Sequence, residues 1–268
     1  MNQKFKRLKI LDYCLLSIYD FLLIALALSL FLIQIYNIIG IIGPLVIAIL
    51  LIITSFFRAK LSKDFKKNIL TSLLSDQFLN TTYSPTVEND KETIDLSHIF
   101  NNDKLNIKSE DLITGSYHNI KFESFDSIIN KTIGSGFDKE LITVFEGRVI
   151  FIDYPNDFFS TVREKDEEDL FGHLEYPLIK TNNQEFDEKF SLYGDLLSDD
   201  LLSTIHTLEE SFQGEFCIAF NELGIFILKS DFFNGFEIDD TTSIDLIRKE
   251  FEDEMAFIVK AIRLLCLK

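Results

Sequence analysis

The sequence has few of the residues that usually carry chemistry, since its 268 residues include three cysteines, four histidines and no tryptophan. Cys14, Cys217 and Cys266 are odd in number and far apart, which argues against a disulfide framework and predicts reduced thiols in apolar surroundings. The histidines are also far apart, and none has a metal ligand at short spacing. We therefore predict no metal site.

Catalytic motifs are missing as well. No serine lies in a G-x-S-x-G elbow, and no acidic loop has the D-x-[DN]-x-[DN]-G spacing of a calcium site. The glycines Gly134 and Gly136 lack the lysine that follows in a phosphate-binding loop, so they predict a surface turn. The sequence predicts no catalytic, cofactor-binding or metal-binding residues, no cofactor, and a protein that is not an enzyme.

Formal charge is absent from a long N-terminal stretch. From Phe21 to Phe57 there is no charged residue over 37 positions. A single helix of that length would measure roughly 55 Å, whereas the hydrocarbon core of a bilayer is about 30 Å thick. We therefore predict a transmembrane helical hairpin over residues 1–60, with spans at 15–36 and 43–57. The predicted break contains four turn-forming residues, Asn37, Gly40, Gly43 and Pro44.

Two alternative interpretations of this stretch fit the residues less well. The basic N-terminus suits a secretory signal peptide, but the apolar run is too long and lacks a small-residue cleavage site. A hairpin buried in a soluble core would need a polar face, and residues 47–53 have none.

The positions of lysine and arginine predict the orientation of the hairpin. Four of these residues precede the first span, five follow the second, and the connecting turn has none. Because cationic flanks stay in the cytoplasm, we predict a multi-pass protein of the cell membrane with both termini cytoplasmic. Asp20, at the edge of the first span, is either an interfacial residue or a proton or ion site.

Residues 61–92 predict a juxtamembrane helix and a linker. Apolar residues recur at helical spacing over 61–79, namely Leu61, Phe65, Ile69, Leu73 and Phe78. The lysines in the first turns would contact anionic lipid head groups, or the helix would continue the second span as a stalk that pairs with a second copy. Residues 80–92 are polar, contain Pro85 and predict a linker.

Charge changes sign after the predicted hairpin. Residues 1–67 carry nine Lys/Arg and three Asp, a net charge of +6, whereas residues 68–268 carry seventeen Lys/Arg and forty Asp/Glu, a net charge of -23. Contacts to nucleic-acid phosphates need a basic face, so we predict no nucleic-acid partner. The predicted partners are the lipid bilayer, other proteins of basic character and, in a homo-oligomer, further copies of the chain.

Residues 93–268 predict an acidic cytoplasmic α+β domain with a mainly antiparallel sheet and a long C-terminal helix. A short helical turn is predicted at 94–100 and helices at 199–212 and 241–268, the last with an apolar stripe of Ile244, Ile247, Phe251, Met255, Ile258, Ile262 and Leu265. Residues 141–154 predict either a strand pair around Glu146 and Gly147 or one long bent strand. Strands are also predicted at 112–122, as a pair around Gly115, and at 186–193, 216–220 and 225–228. The last two flank a turn at 221–224. A bent sheet capped by the C-terminal helix, similar to pleckstrin-homology-like barrels, is one version of this fold.

The longest segment without periodicity is 154–184. It contains seven consecutive charged residues, from Arg163 to Asp169. Such a run predicts a solvated loop.

Three blocks of the second half resemble a bacterial membrane-protein family known as domain of unknown function 3137. Residues 94–122, with SHIF and then EDLITG, are similar to the family's "SGLF … DDxxxG" stretch. Residues 144–151 (VFEGRVIF) resemble its "F-x-G-x-x-F" strand, and 186–193 (FDEKFSLY) with Asp195 resemble "FExxFxVYxxD". The chain departs at 198–205, where SDDLLSTI replaces an "ARYxLTP"-like segment. The resemblance implies two N-terminal spans and a cytoplasmic α+β domain, with no assigned activity.

These features favour a membrane-anchored, non-enzymatic protein that presents an acidic interaction domain at the cytoplasmic face. A second hypothesis is a membrane-bound hydrolase or ligand-sensing protein whose site forms only in the folded chain, from His118, His173 or His206 with carboxylates. A third is a transport or assembly factor that uses Asp20 within an oligomer.

Overall fold

The computed structural model describes residues 2–33, 37–77, 80–100, 105–133, 139–165, 174, 176–211, 214–230 and 244–267. The chain divides into two compact units. The first ends at Leu70, and the second begins at Thr71 and includes the C-terminal helix.

The first unit is a pair of long helices, α1 (Asn2–Ile33) and α2 (Asn37–Gln77). The Arg58 guanidinium lies 3.1 Å from a carboxylate oxygen of Asp12, so the beginning of α1 and the middle of α2 lie side by side. Apolar windows cover Lys9–Leu28 and Ile42–Asn68, with mean hydropathies of 1.9 and 2.2. Both helices are long and apolar enough to cross a membrane, which points to membrane association.

The predicted break at Asn37, Gly40, Gly43 and Pro44 is wrong, because α2 begins at Asn37 and contains all four residues. Proline removes one backbone hydrogen bond, and a long apolar helix tolerates this loss. The juxtamembrane helix is a direct continuation of α2 as far as Gln77. The side chains of Phe65, Ile69, Leu73 and Phe78, on which that prediction rested, lie outside the described residues.

The second unit contains a sheet of nine described strands, in which every neighbouring pair is antiparallel. Their order is β1-β2-β3-β4-β9-β8-β5-β7-β6. The strands are β1 (Thr82–Thr86), β2 (Leu105–Tyr117), β3 (Ile120–Ile133), β4 (Glu140–Ile152), β5 (Ser160–Glu164), β6 (Leu178–Ile179), β7 (Phe190–Gly194), β8 (Glu215–Phe220) and β9 (Ile225–Ser230). With the C-terminal helix, this sheet confirms the predicted α+β class. β1 and β6 are the two ends of the described series, so the barrel-like version of the fold is not what these strands form.

Three strands lie where the sequence predicted irregular chain, namely β1, β5 and the two-residue β6, which pairs with β7. β1 pairs with β2 inside the predicted linker, so the sheet starts before residue 93. β5 lies between β7 and β8, and its Arg163 is fully buried although it begins the charged run that predicted a solvated loop. Residues 166–169 of that run lie outside the described residues. β1 and β5 form because they pair with strands that are distant in the chain.

The hairpins match the prediction in one case and not in the other. β8 and β9 flank Asn221 to Gly224 as predicted. β2 and β3 meet at His118 and Asn119, whose φ values of 49° and 67° define a tight turn with two left-handed residues. Gly115, the predicted centre of this pair, lies within β2.

Four described helices accompany the sheet, α3 (Asp90–Ser97), α4 (Gln184–Lys189), α5 (Asp199–Glu209) and α6 (Ile244–Cys266). Residues 186–189, predicted as strand, form α4 because the Asn183 side chain accepts a hydrogen bond from Phe186 N and caps a helical turn. α5 begins after Ser198, which caps it in the same way. The candidate caps of α6, Thr241 to Ser243, lie outside the described residues.

Both faces of the sheet are covered by buried apolar side chains. Alternate residues of β3, β4, β8 and β9 form one apolar core with α3, namely Ile94, Ile99, Phe125, Ile129, Val144, Phe145, Val149, Cys217, Ala219, Phe226 and Leu228. The opposite face receives α6, whose predicted stripe is buried at Ile247, Phe251, Met255, Ile258 and Ile262. A network of buried charged side chains lies at this second interface.

The close approach of β4 and β9 yields a test of the packing. A Cβ on Gly147 would lie 2.3 Å from the backbone oxygen of Lys229, so Gly147→Ala must push two paired strands apart. We expect a loss of about 1–3 kcal/mol in the free energy of unfolding, measured by urea denaturation of the full chain in detergent. The control is Gly115→Ala, where the new Cβ meets the side chains of Thr81 and Phe122 at 2.5 and 2.7 Å. A loss at Gly115 equal to that at Gly147 would contradict the strand packing.

Candidate functional site: a buried charge network

The network centres on Arg148, which lies in β4 with 1% of its surface exposed. Its guanidinium contacts one neighbouring strand, β3, and one helix, α6. One Nη lies 2.7 Å from a carboxylate oxygen of Asp126, and Nε donates to Ser124 Oγ at 3.0 Å. Nε is also 3.4 Å from Oε1 of Glu254 on α6. Arg148 therefore links its neighbouring strand β3 to the helix that covers the sheet.

Glu254 is the point at which α6 is attached to the sheet. Its Oε2 lies 2.8 Å from the Lys229 ammonium on β9, and its Oε1 accepts a hydrogen bond from Ser124 Oγ at 3.0 Å. Lys229 also lies 5.1 Å from the ring centroid of Phe257, one turn further along α6. One carboxylate thus contacts β3, β4 and β9 together.

Asp111 and Tyr83 extend the network towards the edge of the sheet. Asp111 lies in a bulge of β2, with a left-handed φ of 57°, and is buried. Its carboxylate accepts a hydrogen bond from the Tyr83 hydroxyl on β1. Aspartate tolerates this φ better than most residues, although at some cost in free energy. The bulge directs the carboxylate towards the buried side, within electrostatic reach of Arg148 and Asp126.

Burial and pairing move the pKa values of the network in different directions. Burial raises the pKa of Asp126 to about 6, because the nearby Arg148 offsets only part of the desolvation. Burial also acts to raise the pKa of Glu254, but Lys229 and Arg148 outweigh it and lower that pKa. Burial acts to lower the pKa of Arg148, but Asp126 and Glu254 raise it above its ordinary value. Burial, with Asp111 beside it, raises the pKa of Tyr83.

Asp126 is the group of the network whose charge changes most easily. Its second carboxylate oxygen is buried and has no hydrogen-bond partner among the described residues. A proton on that oxygen costs less than a charge there, which agrees with the raised pKa. The remaining charges are held by opposite partners, so the arrangement is suited to joining β3, β4, β9 and α6.

A second buried arginine lies on the opposite face of the sheet. Arg163 of β5 donates a hydrogen bond to the backbone oxygen of Ile99, and its guanidinium lies 5.8 Å from the ring centroid of Tyr193. It pairs in register with Cys217 on β8. Burial raises the pKa of the Cys217 thiol to about 12, against the opposing effect of Arg163. This thiol is therefore protonated and unreactive at neutral pH.

The other cysteines are also unpaired. Cys266 is buried near the end of α6, and burial raises the pKa of its thiol to about 12. Cys14 is exposed on α1 in the single chain. The prediction of reduced thiols in apolar surroundings agrees with the burial of Cys217 and Cys266.

A cleft of about 450 Å³ opens at the end of β2, β3 and β4. Its lining residues are Asn80, Thr114, Gly115, Ser116, Lys121, Phe122, Glu123, Phe151 and Asp153. None of the histidines named in the second hypothesis is among them. His118 packs against Tyr117 in the β2–β3 turn, His206 lies on α5 at 3.6 Å from Glu210, and His173 lies outside the described residues.

The remaining candidates from the sequence are not brought into a common site. Asp20 is exposed on α1 in the single chain, and Gly134 and Gly136 lie outside the described residues. Across the ranges that the structure describes, no three His, Cys, Asp or Glu side chains could hold a metal ion together.

Sequence analysis missed the charge network. Lys229 is the one charged residue in IFILKS, and Arg148 shares the apolar stretch VFEGRVIF with Glu146. A charge within an apolar strand, at a position whose alternation faces the core, is the available signal, but it does not identify partners such as Glu254, which is 106 positions from Arg148 in the chain. The chain matches no protein-family model, no curated protein and no solved structure.

Removing the central cation tests whether the network stabilises the fold. Arg148→Met leaves Asp126 and Glu254 buried with fewer partners, and we expect a loss of about 3–5 kcal/mol in the free energy of unfolding, measured in urea. Arg248→Met, at an exposed position of α6, is the matched control and should change stability by less than about 0.5 kcal/mol. Equal effects of the two substitutions would show that the contacts of Arg148 do not stabilise the unit.

The two carboxylates should give opposite pH dependences. The Asp126 pKa of about 6 exceeds its ordinary 3.8, so the stability contributed by Asp126 falls as pH rises between these values. Between pH 3.8 and about 6, the free energy of unfolding of the Asp126→Asn variant should therefore rise by about 3 kcal/mol relative to that of the wild type, at about 1.4 kcal/mol per pH unit. The Glu254 pKa lies below its ordinary 4.5, so its contribution is present above pH 4.5 and is lost as pH falls through the lowered pKa.

The measurement is urea denaturation of the wild type, Asp126→Asn and Glu254→Gln at several pH values from 3.5 to 7. The wild type should lose its advantage over Glu254→Gln as pH falls below 4.5, the reverse of the Asp126→Asn trend. Parallel stability curves for all three proteins would contradict the assigned pKa directions.

Proposed function

We propose that this protein is anchored in the cell membrane by α1 and α2 and presents its acidic second unit in the cytoplasm as an interaction domain. The observation that carries the proposal is the apolar surface of the two helices. In the single chain none of the first apolar window and only 11% of the second is buried. The core helix of a soluble protein would bury such a face, whereas a membrane span leaves it for lipid.

The ion pair between Asp12 and Arg58 supports a hairpin that crosses the membrane twice. It brings the N-terminal part of α1 beside the basic stretch of α2, so the cationic flanks lie at the same end of the pair. Lysine and arginine near the ends of spans favour the cytoplasmic side. Both termini and the second unit are therefore proposed to be cytoplasmic.

The charge of the second unit favours proteins as its partners. Residues 68–268 carry a net charge of -23, which repels nucleic acid and anionic lipid head groups and attracts basic protein surfaces. The charges of the buried network are paired with one another within the chain, which suits a rigid scaffold. We retain, within this proposal, the resemblance to domain of unknown function 3137 and the formation of homo-oligomers.

Cysteine labelling tests the proposed topology. In a Cys14→Ala background, Asn37→Cys places a thiol at the connection between the helices, and Glu146→Cys places one on an exposed position of β4. A membrane-impermeant maleimide added to intact cells should label Asn37→Cys but not Glu146→Cys. Permeabilised cells should give labelling at both positions.

The background protein, with Cys217 and Cys266 buried, is the control for labelling at the native thiols. Labelling of Glu146→Cys in intact cells would contradict a cytoplasmic second unit. Protection of Asn37→Cys in intact cells, with labelling after permeabilisation, would contradict the double crossing.

A further inference from the structure

One end of the sheet in the second unit carries a group of exposed apolar side chains. This group, the end patch, consists of Leu96, Tyr154, Leu178, Leu196 and Leu223. Leu196 is 62% exposed and Leu178 is 57% exposed, the two largest values among the apolar residues described in this unit. Leu196 lies in the loop after β7, and Leu178 lies in the edge strand β6.

Hydrogen bonds hold the segments of the end patch together. The Asn221 side chain donates to the backbone oxygen of Leu96 at 2.9 Å and accepts from Leu223 N at 2.9 Å, which fixes these two leucines near each other. On the other side, Gly194 N donates to the oxygen of Pro177 at 3.1 Å, which joins the chain next to Leu178 to the chain leading into Leu196.

Phe159 connects the two halves of the end patch. Its ring centroid lies 5.7 Å from that of His98 and 4.1 Å from that of Tyr176. Its backbone N donates to the Asp195 carboxylate at 2.9 Å, and its backbone oxygen accepts from Asp195 N at 2.7 Å. The patch is therefore built on ordered contacts between five segments of chain, which gives a partner a pre-formed surface.

The rim of the end patch is acidic. The segments 94–98, 153–160, 176–180, 194–200 and 221–224 contain seven carboxylates and one basic side chain, Lys180. All seven carboxylates are exposed: Asp95, Asp153, Asp157, Asp195, Asp199, Asp200 and Glu222. An apolar centre with a charged rim is the usual arrangement of a protein docking site, and its sign selects a basic partner.

We propose that the end patch binds a basic segment of another protein, with apolar side chains on the patch and Lys or Arg side chains against its rim. The inference rests on the proposed function and specifies the surface that the interaction domain uses. A second copy of this unit would bring two acidic rims together, and an anionic bilayer or nucleic acid would be repelled in the same way. A basic protein segment satisfies both the apolar centre and the charge.

Photo-cross-linking in native membranes tests this surface. The full chain carries p-benzoylphenylalanine in place of Leu196, and the matched control carries it in place of Leu141, which is 54% exposed on β4 outside the patch. We expect an adduct from position 196, at least about fivefold above that from position 141. Mass spectrometry should identify the attached segment as net basic with apolar residues among its lysines or arginines.

A charge variant provides the second readout. With the cross-linker at position 196, the double substitution Asp199→Asn with Asp200→Asn should lower the adduct yield at least about threefold. The control, Glu252→Gln with Asp253→Asn on exposed positions of α6, removes the same charge and should leave the yield unchanged.

The outcomes separate this proposal from the proposed function. An adduct at position 196 to lipid, to a second copy or to a segment without net positive charge overturns the basic partner. Adducts only at position 141, or equal yields at both, overturn the end patch but leave an interaction domain. Absence of protein adducts at both positions counts against the interaction domain as well.

Discussion

Two thirds of the large apolar side chains that are exposed among the described residues lie on α1 and α2. Each such side chain in water forgoes about 1.5–3 kcal/mol of burial free energy, so a pair of helices with this surface requires lipid or another protein around it. The ion pair between Asp12 and Arg58 joins the beginning of α1 to the middle of α2, but it cannot cover the apolar faces of the helices. The exposed apolar surface of α1 and α2 therefore determines the environment in which the chain is stable. The proposals about membrane topology and partners depend on this requirement.

The second unit meets a different requirement, because it must stay ordered in water with a large excess of negative charge. Repulsion between exposed carboxylates acts against a compact state. The apolar cores on the two faces of the sheet oppose it, and the network of Arg148, Glu254 and Lys229 ties the covering helix to three strands. Buried ion pairs gain little net free energy, but they discriminate strongly against structures in which one partner is left alone. We infer that the network fixes the position of α6 on the sheet.

Sequence reasoning identified the elements whose pattern is local. The stripe of α6, the β8–β9 hairpin and the α+β class follow from periodicity and turn residues within short windows, and the structure confirms them. The β2–β3 turn was misplaced because His118 and Asn119 lack the usual glycine. Other predictions failed where residues far apart in the chain determine the structure, since β5 is flanked by β7 and β8 and their packing buries Arg163. The charge network was missed for the same reason, since its members lie on different strands and a helix.

The most direct test of the account is extraction of the full chain from native membranes. Alkaline carbonate removes peripheral proteins and leaves those held by apolar contact with the bilayer. The account predicts that the protein sediments with the membranes after the carbonate wash and enters solution only with detergent. Release of the intact chain into detergent-free buffer as a dissolved monomer would contradict it, because the apolar faces of α1 and α2 would then be stable in water.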